Sequence, residues 1–180
     1  MLLDGPGLQE SISYYYYTGM RNIFVGTQWA MSSFLFSYRG YAIADDVAGK
    51  VASVSALGIA LFPTTPSSGV ASTAILIGHV HTVCTFAFFS TLAFFALVLF
   101  TKTGPGKPTP RKLLRNKVYR LCGSTIIVSM LLIAVHNVLP GESTRGLEPF
   151  RPVFALETLA ILAFGSSWLV KGEALLKDQA

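Results

Sequence analysis

Charged residues are scarce in this chain of 180 amino acids. Only 13% of its residues are Asp, Glu, Lys or Arg, whereas 52% are hydrophobic. In soluble globular proteins about a quarter of the residues are charged. A mean hydropathy of +0.54 agrees with this imbalance. The composition therefore argues against an ordinary soluble protein and predicts one that lies in a membrane.

Cysteines and processing signals are also few. The two cysteines, Cys84 and Cys122, fall in different apolar runs, and we expect them near opposite faces of the membrane. A disulfide needs Cα atoms within about 7 Å, so we expect two buried thiols rather than a bridge. The N-terminus has neither a basic region nor an apolar core, and we therefore expect no cleavable signal peptide.

Motifs that would indicate catalysis or nucleotide binding are missing. There is no G-x-S-x-G elbow, no phosphate-binding glycine loop and no C-x-x-C pair. No row of basic residues lies inside an apolar run, as it does in voltage sensors. We therefore expect a protein without a cofactor, and a non-enzymatic role is the favoured interpretation.

What the sequence has in quantity is apolar runs. Runs of this length are typical of helices that cross a membrane. They predict an all-α fold, an integral membrane bundle of five transmembrane helices in a single domain. The predicted spans are residues 18–38, 47–62, 73–100, 121–139 and 150–170. The second span carries small residues at four-residue spacing, Ala52, Ala56 and Ala60, so we expect it inside the bundle.

The stretch Thr101–Arg120 orients this bundle. It holds seven Lys or Arg residues and no Asp or Glu between two long apolar runs. Short loops this basic are retained on the cytoplasmic side, which predicts an outside N-terminus and an inside C-terminus. Eleven of the 14 basic residues then lie inside and three outside. Because half of the basic residues belong to this one loop, we expect no nucleic-acid partner.

The predicted topology places the ionisable residues of the spans in one layer near the outer face. Such groups are costly at membrane depth and normally face the bundle interior or a wet cavity. The layer predicts an outward-facing polar pocket for a lipid or a small ligand. A structural ion pair of Glu157 with Arg21 or Arg151 is the competing interpretation. The pocket candidates are Arg21, His79, His81, His136 and Glu157.

The favoured function is to bind such a ligand or to act as a partner subunit of another membrane protein, and two alternatives remain open. Neutral imidazole and carboxylate are good zinc ligands, so His79 or His81 with His136 and Glu157 would suit an intramembrane metal-dependent hydrolase. No metal is favoured, however, because residues two apart lie about 200° from one another around a helix. A helix broken around 165–167 would instead favour a small transporter.

The basic stretch also allows contact with anionic lipid at the inner surface. Orientation of the chain alone is the simpler explanation for its charge. The candidate contacts are Arg111, Lys112 and Arg115. Membrane lipids, and other membrane protein subunits, are thus the partners that we expect.

Several strings resemble an uncharacterised family of small bacterial polytopic membrane proteins. They are S-I-S-Y-Y-Y-Y-T-G-M-R-N-I-F-V-G, S-Y-R-G-Y, L-F-P-T, T-P-R-K-L-L-R-N-K-V-Y-R-L-C-G and L-E-T-L-A-I-L-A-F-G-S-S-W-L-V-K-G-E. Together they span most of the chain, from residue 11 to residue 173. The resemblance implies a helical bundle in the bacterial inner membrane and no particular activity. In that family a further apolar span often precedes the S-I-S-Y-Y motif.

Overall fold

The chain folds into helices joined by loops. The computed structural model describes residues 7–66, 71–104, 107–139 and 141–176. Within these ranges there are six α-helices and no strand, so the predicted all-α class is confirmed. The helices are α1 (Arg21–Ser37), α2 (Ile43–Leu61), α3 (Ser72–Phe94), α4 (Pro110–Val138), α5 (Gly141–Thr144) and α6 (Pro152–Lys171).

Three helices in the described ranges, rather than the five predicted, are long and apolar enough to cross a membrane. They are α3 with its continuation to Leu99, α4 and α6. Helix α1 has only 17 residues, which corresponds to about 25 Å at about 1.5 Å per residue. Helix α2 has 19 residues, but Asp45, Asp46 and Lys50 lie in its first turns. Helix α1 is therefore shorter, and α2 more charged, than the three helices that meet both requirements for crossing a membrane.

Consecutive long helices pack against one another, and α2 lies between α1 and α3. Ala52 and Ala56 of α2 are fully buried. A Cβ atom added to Gly58 would collide with the Sγ atom of Cys84 on α3. Close approach of the backbones explains this burial, and the predicted position of the second span inside the bundle is confirmed.

Helix α3 continues as a π-helical turn, Phe95–Leu99. The amide of Phe100 donates to the carbonyl oxygen of Phe95 at 2.8 Å, five residues back. Both rings are fully buried, and their centroids lie 5.8 and 5.4 Å from that of Trp168 on α6. Tyr38, after α1, contacts the same indole at 5.1 Å. This aromatic cluster joins α1, α3 and α6.

Two helices begin earlier than predicted. Helix α4 begins at Pro110 rather than at residue 121, because the side chain of Thr109 accepts a hydrogen bond from the amide of Lys112 at 3.1 Å. A Thr cap followed by proline is a strong helix start. Helix α2 begins at Ile43 rather than at residue 47, and Asp45 accepts from the amide of Ala42 at 3.2 Å. Half of the basic stretch is therefore helical.

The bundle has two ends of different character. At the N-terminal end, residues 7–17, which we call the N-terminal segment, contact the loop after α2 and the start of α6. At the basic end, the turn before α2 meets residues 99–104 and 107–115 and the end of α6. A cavity lies at each end.

Candidate functional site

A cavity of about 490 Å³ lies at the N-terminal end of the bundle. Three of the five predicted pocket residues, His81, His136 and Glu157, line it. The N-terminal segment, α3, α4 and α6 all contribute to its walls. Apolar side chains complete the walls, among them Phe86, Phe89, Met130 and Ile133. Three of the five residues in the predicted layer of ionisable side chains thus line one cavity.

Glu157 anchors the N-terminal segment to α6. Its side chain is 7% exposed, and its Oε2 atom accepts a hydrogen bond from the amide of Ile12 at 2.6 Å. Close by, the amide of Phe154 donates to the carbonyl oxygen of Glu10 at 3.1 Å. The ion pairs found in the described ranges do not include Glu157. The predicted pairing of Glu157 with Arg21 or Arg151 is therefore replaced by a backbone amide.

His81 ties the N-terminal segment to the loop after α2. The ring is 4% exposed, and its Nδ1 atom lies 2.7 Å from the carbonyl oxygen of Phe62. A carbonyl only accepts, so Nδ1 carries the proton and donates it. In the neutral ring, Nε2 then accepts from the hydroxyl of Ser13 at 3.0 Å. Both ring nitrogens are thus occupied by groups of the protein.

Tyrosines of the N-terminal segment add further contacts. The hydroxyl of Tyr14 donates to the carbonyl oxygen of Thr65 at 3.4 Å, and that of Tyr17 donates to the carbonyl oxygen of Thr64. Partial burial raises the pKa of Tyr17 above its ordinary value. The N-terminal segment is therefore held at three places: on the loop after α2, on α3 through His81, and on α6.

The two other pocket candidates lie outside the cavity. Arg21 stacks its guanidinium over the ring of Tyr16, 4.2 Å from the centroid, and donates to the Tyr16 hydroxyl at 2.5 Å. His79 is exposed, two residues before the buried His81. Successive residues of a helix are about 100° apart, so these two histidines face different ways. Neither Arg21 nor His79 is thus among the residues that line this cavity.

No assembled metal site occurs in the part of the chain that the structure describes. The His, Cys, Asp and Glu side chains there form no group of three that could hold an ion. The zinc alternative needed His79 or His81 with His136 and Glu157. His79 points elsewhere, and both nitrogens of His81 already have partners. The residues present therefore do not fit a zinc centre.

The feature that would favour a transporter is likewise not found. Helix α6 runs without a break from Pro152 to Lys171, through Gly165, Ser166 and Ser167. The hydroxyls of the two serines donate to carbonyl oxygens of their own helix, at 2.8 and 2.7 Å. An unwound ion-binding segment would need those carbonyls to point into a cavity instead.

Several lining residues were not predicted from the sequence. Thr85 lines the cavity one helical turn after His81, and its buried Oγ1 atom has no hydrogen-bond partner among the described residues. Residues four apart share a helix face, so the spacing of His81 and Thr85 was a usable signal. Glu148 and Arg151, from the segment before α6, also reach the cavity. Nothing periodic in the sequence marks such loop residues.

The predicted lipid contacts separate at the basic end. Lys112 and Arg115 line a second cavity there, whereas Arg111 does not. Arg115 is buried, and its Nη1 atom lies 3.3 Å from Oε1 of Glu173. Only two of the three predicted contact residues thus face the same space.

Comparison with known proteins identified no relative. No family model, no curated protein and no solved structure matches the chain. The resemblance to a bacterial membrane family therefore stays a prediction. Function has to be inferred from the geometry of the chain itself.

Proposed function

We propose that the protein is a multi-pass membrane protein that binds a small amphipathic ligand in the cavity at its N-terminal end. In this proposal all five long helices cross the bacterial inner membrane, with the N-terminus outside and the C-terminus inside. The ligand, a lipid or another small molecule, enters from the outer side. The protein belongs, in the same proposal, to the polytopic family that its sequence strings resemble.

The outward-facing apolar residues of three helices support the membrane location. Within the most apolar part of α4 only 28% of the residues are buried, and within that of α6 only 22%. Leu131 and Val135, for example, are 60% and 54% exposed. Continuous apolar surface of this kind marks a membrane or protein contact. Lipid around α4 and α6 would remove it from water.

The two shorter helices fit the same membrane if their ends lie at the head groups. A span shorter than the hydrocarbon core of about 30 Å is accommodated by local thinning of the bilayer or by flanking polar residues. Helix α1 has Arg21 at its start, and α2 has its charged residues in its first turns. Charged groups at such positions can extend toward the head groups. The close packing of α2 against α1 and α3 supports one five-helix unit.

The chemistry of the cavity carries the ligand proposal. Its volume falls within the range of about 300 to 1,000 Å³ that is typical of small-molecule sites. It combines aromatic and aliphatic walls with Glu10, Glu148 and Glu157 against one cation, Arg151. The unpartnered Thr85 hydroxyl is a further polar group for a ligand to satisfy. A ligand with an apolar part and a cationic or hydrogen-donating head would match this lining.

A matched pair of tryptophan variants tests ligand binding. Ile133 lines the cavity, whereas its neighbour Leu132 is 49% exposed on the outside of α4. Ile133→Trp should fill the cavity. Leu132→Trp introduces a side chain of the same size outside the cavity and serves as the control. Each protein is purified in a mild detergent, and small molecules that remain bound are extracted and quantified by mass spectrometry.

We expect a compound that stays with the parent and with Leu132→Trp but falls about tenfold or more in Ile133→Trp, which corresponds to a loss of about 1.4 kcal/mol. Equal amounts in the three proteins would contradict the proposal. So would the recovery of no compound from the parent.

A further inference from the structure

The cavity at the basic end has a volume of about 670 Å³. Its walls come from four parts of the chain: the turn before α2, the segment after α3, the first turns of α4 and the end of α6. Among the described residues, five basic side chains line it, and they are Lys102, Lys107, Lys112, Arg115 and Lys171. We propose that this cavity binds a phosphate group, carried either by an anionic lipid or by a free phosphate compound.

Charge balance is the first reason. Glu173 is the one carboxylate among the described residues of the lining, and it pairs with Arg115 at 3.3 Å. Asp45, just outside the lining, pairs with Lys102 at 3.5 Å. The ion pairs found in the described ranges include neither Lys107 nor Lys171, so two positive charges of the lining have no carboxylate partner there. Gathered around one cavity, such charges repel one another, and an anion that enters it relieves the repulsion.

The position of Lys171 is the second reason. Its Nζ atom lies 4.9 Å from the ring centroid of Tyr41 and 5.9 Å from that of Phe100. It forms no ion pair with a carboxylate in the described ranges. Aromatic faces hold an ammonium group by cation–π attraction without neutralising its charge. Lys171 is therefore kept at the cavity with hydrogens available to donate to an anion.

The convergence of distant basic residues is the third reason. Orientation in a membrane requires only that positive charge lies on one side. Here the cations of the basic stretch meet Lys171 from the far end of the chain around a common space. By contrast, Lys117 and Arg120 of the same stretch are exposed and lie outside the cavity. Some basic residues of the stretch thus line the cavity, whereas others lie on the surface of the protein.

Two double variants of equal net charge test this site. Lys107→Gln with Lys171→Gln removes two cations from the cavity, and Lys117→Gln with Arg120→Gln removes two from the surface. The proteins are purified in an uncharged detergent, and binding is measured by titration calorimetry. The probes are inorganic phosphate and dihexanoyl phosphatidylglycerol, and dihexanoyl phosphatidylcholine serves as the lipid without net charge.

We expect the double variant of Lys107 and Lys171 to bind the anionic probe about tenfold or more weakly than the parent. The affinity of the double variant of Lys117 and Arg120 should change by less than about twofold. Binding of phosphatidylglycerol without inorganic phosphate assigns the site to a lipid head group. Binding of inorganic phosphate with equal or higher affinity assigns it to a free phosphate compound. Equal weakening in both double variants, or no binding of either probe by the parent, would overturn the proposal.

Two single variants separate charge from folding. Lys171→Arg keeps the cation and should keep probe affinity within about threefold. Lys107→Gln changes an exposed loop residue, and it alone should weaken binding by about threefold. Unchanged affinity in Lys107→Gln would count against the site. Since both cavity residues lie at the basic end, this result does not depend on ligand binding at the N-terminal end.

Discussion

The two ends of the bundle are held together by different kinds of polar contact. At the N-terminal end the contacts use buried side chains: Glu157 and His81 are 7% and 4% exposed, and each bonds a group of the N-terminal segment. At the basic end the contacts are ion pairs with one partner near water. The side chains of Lys102 and Glu173 are 48% and 49% exposed.

This difference in burial implies a difference in energy and in salt sensitivity. Removal of a buried hydrogen-bond partner leaves the other group without water and costs about 1 to 3 kcal/mol. Ion pairs that water reaches contribute about 0 to 1 kcal/mol and are screened by salt. The polar contacts around the cavity at the N-terminal end therefore stabilise the fold more than those at the basic end. The basic end, in contrast, carries excess positive charge that can bind a ligand.

The largest effect is expected from Glu157→Ala. The substitution leaves the amide of Ile12 without its acceptor and should lower the free energy of unfolding by about 3 kcal/mol, the upper end of the cost of removing one partner of a buried hydrogen bond. Unfolding in detergent, followed by circular dichroism, measures the loss. Glu148→Ala, an exposed carboxylate at the same cavity, should change stability by less than about 0.5 kcal/mol.

Hydrogen exchange gives a second measure at this end, because release of the N-terminal segment should raise the exchange rate of the Ile12 amide. Glu157→Gln, whose amide oxygen can still accept, should lose less than Glu157→Ala. Recovery of stability when Arg151→Gln is added to Glu157→Gln would instead indicate an ion pair, and our assignment of the amide partner would fail.

A smaller effect, common to both ends, is expected from Ala56→Leu. Ala56 is fully buried where α2 packs between its neighbours, and overpacking of such positions costs about 1 to 3 kcal/mol. We expect a loss near 2 kcal/mol and a lower melting temperature. Val54→Leu enlarges a side chain that is 66% exposed and serves as the control. Equal melting of the two variants would mean that the face of α2 with Ala56 is not packed.

The smallest effect is expected from Glu173→Gln at the basic end. The carboxylate of Glu173 is half-exposed, so its pair with Arg115 should contribute about 0.5 kcal/mol. That difference should disappear at about 1 M salt, where the screening length is about 3 Å. A loss of unfolding free energy above about 2 kcal/mol that persists at high salt would mean that the polar contacts at the two ends do not differ in strength or in salt sensitivity.

The sequence predicted the long helices well because apolar runs carry that information directly. Helices α3 and α6 begin within a few residues of the predicted positions. Helix α4 was predicted too late because its basic first turns contain no apolar run, although Thr109 and Pro110 are a recognisable helix start. Lys and Arg are good helix formers, so a basic stretch can be helical without an apolar run.

The site was predicted in part. His81, His136 and Glu157 could be placed together because topology sets the depth of each along its helix. The partner of Glu157 could not be predicted, since Ile12 lies 145 residues away in a segment without helical periodicity. Contacts between irregular segments depend on the folded arrangement rather than on any repeat in the sequence.

The orientation of the two ends is tested most directly by cysteine labelling in intact cells. In a background that lacks Cys84 and Cys122, single cysteines replace Ser143 at the N-terminal end and Thr103 at the basic end, both of which are exposed. A thiol reagent that does not cross membranes is added before and after lysis. We predict that only Ser143→Cys reacts in intact cells and that both variants react after lysis. Labelling of Thr103→Cys in intact cells would contradict the proposed topology.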